Sequence, residues 1–115
     1  MISARWLALA DMRTLQPVSY RGRLVACATA QRCILCDELA RRPVADPERT
    51  FVIFMCAYAG DVLRGELPGP YTDQNARAYA RAALIPGELL ERPCVNPLRT
   101  SLALGIPLWE LAGAA

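Results

Sequence analysis

The chain of 115 residues contains no histidine, and its thirteen basic residues are all arginine, against five Asp and six Glu. The lack of histidine excludes a Ser-His-Asp triad, a Cys-His pair and every metal site that uses imidazole. The net charge of +2, with arginines scattered along the chain, argues against direct nucleic acid binding, which needs clustered cations. The length predicts one domain over residues 1–115.

The chain contains no segment long enough to predict a membrane span. Its longest apolar run, Phe51 to Gly60, has half of the roughly 20 residues that a bilayer requires. The apolar stretch Trp6 to Ala10 is broken by Asp11 and is too short for the core of a signal peptide. We therefore expect a cytoplasmic protein with reduced thiols.

The first half of the chain predicts a helix, a hairpin and a short helical turn. Ala4 to Met12 has apolar residues at helical spacing, and Pro17 ends any helix there because its predecessor avoids the helical region. Arg23 to Thr29 and Arg32 to Asp37 have strand composition and predict a hairpin, with its turn at Ala30-Gln31. Residues 38–42 then form a helical turn.

The clearest helix begins at Asp46-Pro47. Asp46 can accept hydrogen bonds as the N-cap, and Pro47 suits the first helical position. The helix extends over Arg49 to Arg64 and ends at Gly65, a residue that favours the left-handed conformation. Since its middle is apolar on every face, the sequence predicts a buried central helix.

A second helix is predicted over Asp73 to Leu84, with Thr72 as its N-cap. One stripe of this helix is expected to be buried, and it comprises Ala76, Tyr79, Ala80, Ala83 and Leu84. The rest of the chain predicts short helices at Glu88 to Glu91, Leu98 to Leu104 and Leu108 to Ala112. The expected fold is α+β: a small, mostly helical domain with a short β-hairpin or small sheet packed on the central helix.

The odd number of cysteines argues against a closed disulfide framework. They are Cys27, Cys33, Cys36, Cys56 and Cys94. Cys33 and Cys36 form a C-x-x-C, for which packing as small buried hydrophobic residues is the favoured interpretation. A redox pair and a metal site remain open alternatives, and the metal site would need Cys33 and Cys36 together with Cys27 or Cys56.

The central helices resemble those of the ImmA/IrrE family of zinc metallopeptidases. That family places A-H-E-x-G-H on one helix and an acidic residue on the next, which ends in L-L-M-P. Residues 49–63 lie in the first position, and Asp73 to Pro86, with its Leu-Ile-Pro ending, lies in the second. The tail Leu102 to Trp109 is similar to the closing short helices of the family. The resemblance covers about residues 20–112 and implies a zincin-like core.

The residues at the motif positions depart from the family. Its two histidines fall on Ala57 and Asp61, its catalytic glutamate on Tyr58, and its acidic ligand on Asp73. Ala57 offers no ligand, and tyrosine, with an ordinary pKa near 10, is a poor general base at neutral pH. Asp61 and Asp73 are weak candidates for Mg²⁺ or Ca²⁺; alternatively, Asp61 pairs with Arg64 or Arg77.

The resemblance with these departures implies an inactive metallopeptidase-like regulatory protein, with no catalytic residue, no metal and no cofactor. Its former cleft would bind a protein partner, for which a helix-turn-helix repressor, as in mobile elements, is the class suggested. The expected cleft residues are Ala57, Tyr58, Asp61, Asp73 and Arg77. Two alternatives stay open: a metal- or thiol-dependent enzyme using Cys33, Cys36 or Cys56, and a small DNA-binding regulator using residues 96–112.

Overall fold

The computed structural model describes residues 15–87 and 96–113. Within these ranges the chain forms three antiparallel strands and five helices, which confirms the predicted α+β class. Two predicted helices, Ala4 to Met12 and Glu88 to Glu91, and the thiol of Cys94 lie outside the described residues. No helix in the described ranges is long and apolar enough to cross a membrane.

The sheet contains one strand more than the predicted hairpin. Strand β1 (Gln16–Tyr20) pairs with β2 (Arg23–Ala28), which pairs with β3 (Cys33–Leu35). A two-residue turn joins β1 to β2, and both of its residues have positive φ, Arg21 at 53° and Gly22 at 82°. Pro17 is compatible with β1 because this is an edge strand, where a missing donor breaks no central ladder.

The predicted hairpin between β2 and β3 is confirmed, and its connection is closed by Thr29. The Thr29 N–H donates to the Arg32 carbonyl at 2.8 Å. Its hydroxyl accepts from the N–H groups of Gln31 at 3.3 Å and Arg32 at 3.0 Å. The side chain therefore holds the connection in a tight turn.

The predicted starts of three helices are confirmed by their N-caps. After the short helix α1 (Asp37–Ala40), α2 (Pro47–Leu63), α3 (Asp73–Leu84) and α4 (Pro97–Leu104) follow, and α5 (Leu108–Gly113) is last. The side chains of Asp46, Thr72 and Asn96 accept from the N–H three residues on, at 3.0, 3.0 and 3.1 Å. These bonds satisfy backbone donors that have no partner inside the helix.

Gly65 and Gly105 follow the ends of α2 and α4 with φ of 78° and 70°. In both places the next N–H reaches back five residues: Glu66 donates to the Asp61 carbonyl at 2.9 Å, and Ile106 to the Ser101 carbonyl at 3.2 Å. The left-handed ending at Gly65 was predicted, and Gly105 ends α4 in the same way.

The core lies between the sheet and α2, and α3 packs on another side of α2. The largest fully buried side chains of this core include Tyr20, Leu39, Phe51, Met55 and Ile106. Ala76 and Ala80 are fully buried where α3 approaches α2, as predicted from the stripe of small residues.

Two burial predictions are wrong. α2 is not buried all round, because Ile53 is 42% exposed and Ala57 is also exposed. Ala83 of the predicted α3 stripe is exposed as well. A helix sequence that is apolar on every face therefore does not establish that every face is buried.

Candidate functional site

The predicted cleft residues lie on α2 and α3 but belong to separate local environments. Ala57 is on the exposed face of α2, whereas the next residue, Tyr58, is buried. Asp61 lies one turn after Ala57, and Asp73 and Arg77 lie on the first half of α3. Ala57 and Asp61 are four residues apart on one helix, so the chemistry of this face depends on what each side chain contacts.

Tyr58 lies in a cluster of three tyrosines. Its ring centroid is 5.9 Å from that of Tyr71 and 5.4 Å from that of Tyr79, with tilted planes in both pairs. Tilted aromatic contacts at these separations are favourable packing. Tyr58 therefore joins α2 to α3 and to the loop before α3.

Asp73 holds the first strand against α3. Its Oδ1 accepts from the Ser19 N–H at 3.1 Å and from the Tyr71 hydroxyl at 2.9 Å. Burial, together with the hydrogen bond to Asp73, raises the pKa of Tyr71 above its usual range. Asp73 therefore joins β1 to the loop before α3. Its negative charge also interacts favourably with the N-terminal end of the helix dipole.

Asp61 is paired within its own helix. The guanidinium of Arg64 binds the Asp61 carboxylate, contacts Glu66 at 3.3 Å, and donates to the Ala30 carbonyl at 2.6 Å. This is the pairing that the sequence offered as the alternative to a metal ligand. The arrangement fastens the end of α2 to the β2–β3 connection.

No metal centre is formed by the candidate ligands. Within residues 15–87 and 96–113, no group of three or more Cys, Asp or Glu side chains is placed to hold a metal ion. Asp61 and Asp73 have different protein partners, and Cys33 and Cys36 lie at the two ends of β3.

Arg77 belongs to a buried charge network that the sequence did not predict. Its Nε and Nη2 donate to the two oxygens of Glu110, each at 3.2 Å, and Glu110 is 1% exposed. The Tyr20 hydroxyl also donates to Glu110, and it accepts from the Trp109 indole N–H at 2.7 Å. Burial, followed by the bond to Glu110, raises the pKa of Tyr20. The network connects β1, α3 and α5.

Other arginines are also engaged with carboxylates. Arg23 pairs with Glu38 and Glu48 at 2.6 and 3.1 Å, and Arg42 pairs with the same two residues at 2.6 and 2.9 Å. These pairs neutralise cations that a phosphate backbone would otherwise contact.

The described cysteines divide into two classes. Cys27 and Cys56 are buried, whereas Cys36 is partly buried and Cys33 is exposed. All four thiols are free. The packing interpretation is therefore wrong for Cys33, which lies at the start of β3, an edge strand of the sheet formed by the described residues.

Large apolar side chains are exposed on three helices. Leu98 and Leu102, four residues apart on α4, are 64% and 63% exposed. Leu108 and Trp109 on α5 are 42% and 40% exposed, and Ile53 on α2 is 42% exposed. Exposed apolar side chains at helical spacing are typical of surfaces that bind other proteins.

A scan against models of protein families, a search of curated proteins and a search of solved structures find no match to this chain.

Proposed function

We propose that the chain is a non-catalytic protein-binding domain, derived from an ImmA/IrrE-like framework, whose partner surface includes the exposed face of α2. One observation carries the proposal: Ile53 and Ala57 are apolar and exposed, and they lie four residues apart on the helix where that family carries its catalytic motif. Residues four apart on a helix share one face, so a partner can contact both.

The polar residues of the same region support a binding role over a catalytic one. Asp61 is paired with Arg64, Asp73 with Ser19 and Tyr71, and Arg77 with Glu110. A general base or metal ligand needs an unshared lone pair directed at the substrate or ion. These groups instead satisfy one another and hold the surface in one shape, which lowers the entropic cost of binding.

The partner that we propose is a helix-turn-helix repressor, the class that the resemblance suggests. The alternative of direct DNA binding by α4 and α5 has less support. α5 has only six residues and no arginine, and its Glu110 side chain is directed into the core. A recognition helix needs exposed donors along its first turns.

The test is a calorimetric titration of the full chain with a helix-turn-helix repressor from its native host. Ala57→Arg adds a long charged side chain to the proposed surface and should weaken binding at least tenfold, because the charge must be desolvated. Ala82→Arg is the matched control, since Ala82 is exposed on α3, and it should leave the affinity unchanged.

Two results would contradict the proposal. Equal loss of binding in both variants, or no binding by the unmodified chain, would show that the assigned surface is not the binding site. Cleavage of the repressor that stops on addition of a chelator would show a metallopeptidase and overturn the non-catalytic function. Tyr58 and Asp61 are unsuitable probes because their side chains pack or pair within the domain.

A further inference from the structure

Three elements that pack on one another, β2, β3 and α2, each carry a cysteine. Cys27 is on β2, Cys33 is the first residue of β3, and Cys56 is in the middle of α2. Cys33 is exposed, Cys56 is 3% exposed and Cys27 is fully buried. The second cysteine of the C-x-x-C, Cys36, lies just beyond β3, where it precedes α1.

The strand register places Cys33 on the face of the sheet that meets α2. Cys33 is directly opposite Ala28 on β2, and directly paired residues project to the same face. Ala28 is fully buried in the core that also contains Cys56. The side chain of Cys33 therefore starts on the helix side of the sheet, although its edge position leaves it open to solvent.

Two contacts of α2 show which turn of the helix lies beside the β2–β3 connection. A Cβ added to Gly60 would be 3.6 Å from the Thr29 carbonyl, and Arg64 donates to the Ala30 carbonyl at 2.6 Å. Gly60 and Arg64 follow Cys56 by four and eight residues and share its face of the helix. Cys56 thus occupies the preceding turn, facing the sheet beside the β2–β3 connection.

A hydrogen bond between the thiols of Cys33 and Cys56 is the largest cause of the shift in the pKa of each. With Cys56 as donor, this bond lowers the pKa of Cys33. The bond to Cys33 and the burial of its own side chain raise the pKa of Cys56. Burial also raises the pKa of Cys27, to about 11. The exposed thiol is therefore the one that ionises most readily, and an ionised thiol is the form that oxidants attack.

We propose that Cys33 and Cys56 form a dithiol that hydrogen peroxide converts to an intramolecular disulfide. The Cys33 thiolate attacks one peroxide oxygen and the O–O bond breaks, giving Cys33 sulfenic acid; the released hydroxide takes up a proton to become water. Cys56 sulfur then attacks the sulfenic sulfur, the S–O bond breaks, and the hydroxide leaves with the Cys56 proton as a second water. One peroxide is reduced by two electrons, and two thiols are oxidised to one disulfide.

The pairing assigned here differs from the local C-x-x-C. Cys33 and Cys36 are close in sequence, yet the extended backbone of β3, which begins at Cys33, separates their positions. Cys56 lies on a different element, α2, and its side chain is buried from solvent. An exposed attacking thiol beside a protected second thiol is the arrangement expected of a peroxide-sensitive pair.

Peptide mapping of the full chain tests this pairing directly. The reduced protein is treated with hydrogen peroxide at neutral pH, remaining thiols are blocked with iodoacetamide, and trypsin is added without reductant. Because the chain has no lysine, trypsin cuts only after arginine and isolates Cys27 in 24–32, Cys33 and Cys36 in 33–41, and Cys56 in 50–64. The expected product is 33–41 joined to 50–64, from monomeric protein, and separated again by dithiothreitol.

Variants at the two thiols of peptide 33–41 identify the partner. Cys33→Ser should abolish the cross-link, whereas the matched Cys36→Ser should retain it within twofold. A loop inside 33–41, a cross-link to 24–32, survival of the product in Cys33→Ser, or unreacted thiols would each overturn the proposal. In folded Cys56→Ser, dimedone should label Cys33 sulfenic acid, and labelling of another cysteine instead would overturn the assigned order.

Discussion

The buried carboxylate of Glu110 is the residue on which three elements converge. A carboxylate with 1% exposure loses most of its hydration, and only charged or strong donors compensate for that loss. Arg77 supplies two N–H groups and Tyr20 supplies its hydroxyl. The partially exposed Arg77 keeps some contact with water, so the pair combines a buried acceptor with a half-hydrated donor.

Arg77→Ala should lower the free energy of unfolding by about 2–3 kcal/mol, because it removes both charged N–H donors from a buried carboxylate. Arg81→Ala is the matched control on the same helix. The Arg81 Nε is 3.9 Å from Glu110 and makes a much weaker contact, so we expect a loss below about 1 kcal/mol. Urea unfolding at pH 7 measures both. Equal losses would contradict the dominant role of Arg77.

No local pattern in the sequence could have located this network. Glu110 lies 33 residues from Arg77 and 90 residues from Tyr20, and helical or strand spacing relates only near neighbours. The one available signal was a single carboxylate among apolar residues in the last helix. Such a residue is normally solvent-exposed, and only the fold shows that arginine and tyrosine cover it.

At the scale of the elements, helix ends were the most predictable features. The side chains of Asp46, Thr72 and Asn96 each accept a hydrogen bond from the N–H three residues on. The local sequence is therefore enough to predict these N-caps. β1 was missed because Pro17 argues against a helix without indicating a strand. Its pairing depends on the positive-φ turn at Arg21-Gly22, and arginine gives no signal for that conformation.

Gly105→Ala should destabilise the domain more than Gly65→Ala does, although both glycines have positive φ. Both substitutions strain a left-handed backbone, at a cost of about 1–2 kcal/mol. A Cβ at Gly65 meets open space, whereas at Gly105 it would lie 2.9 Å from Thr50 Cγ2, so α4 must shift from α2. We expect an additional loss of about 1 kcal/mol or more at Gly105 from this overpacking.

Thermal unfolding of the two glycine variants under one set of conditions measures the difference. Since the backbone term is common to both, the comparison isolates the contact with Thr50. A Gly105 variant no less stable than the Gly65 variant would show that α4 can move away from α2 freely. It would also contradict the close packing of α4 on the start of the central helix.

At the scale of the molecule, two tyrosines connect β1 to the helices. Tyr20 binds Glu110 on α5, and Tyr71 binds Asp73, which also holds the Ser19 N–H. Both hydroxyls have a raised pKa, for which burial is the largest cause. The neutral phenol is therefore favoured in the folded state relative to the unfolded chain.

The domain should lose stability as the pH rises above about 10, the ordinary pKa of tyrosine. Between that value and the raised folded pKa, the folded state retains protons that the unfolded chain releases, so rising pH favours unfolding. Below pH 10 the contribution is fully present. Urea unfolding from pH 8 to 11 should show the decline. Tyr20→Phe should make it shallower, and a slope as steep as that of the parent chain would contradict the assignment.

The candidate site was only partly predictable from sequence. Helical spacing correctly placed Ala57 and Asp61 one turn apart, and Asp73 and Arg77 on the next helix. Spacing defines a face but not what covers it, so it could not show that Asp73 and Arg77 are engaged by β1 and α5. The exposed apolar face of α2 likewise depends on the placement of neighbouring elements.

The 90-residue separation between Tyr20 and Glu110 has a consequence for the order of folding. Closing a chain segment of that length costs conformational entropy that no local contact repays. The sheet and α2 are nearer in sequence and can assemble first, whereas Glu110 is buried only when α5 docks on that assembly. Its contacts are then largely absent from the folding transition state. They therefore lower the unfolding rate and leave the folding rate nearly unchanged.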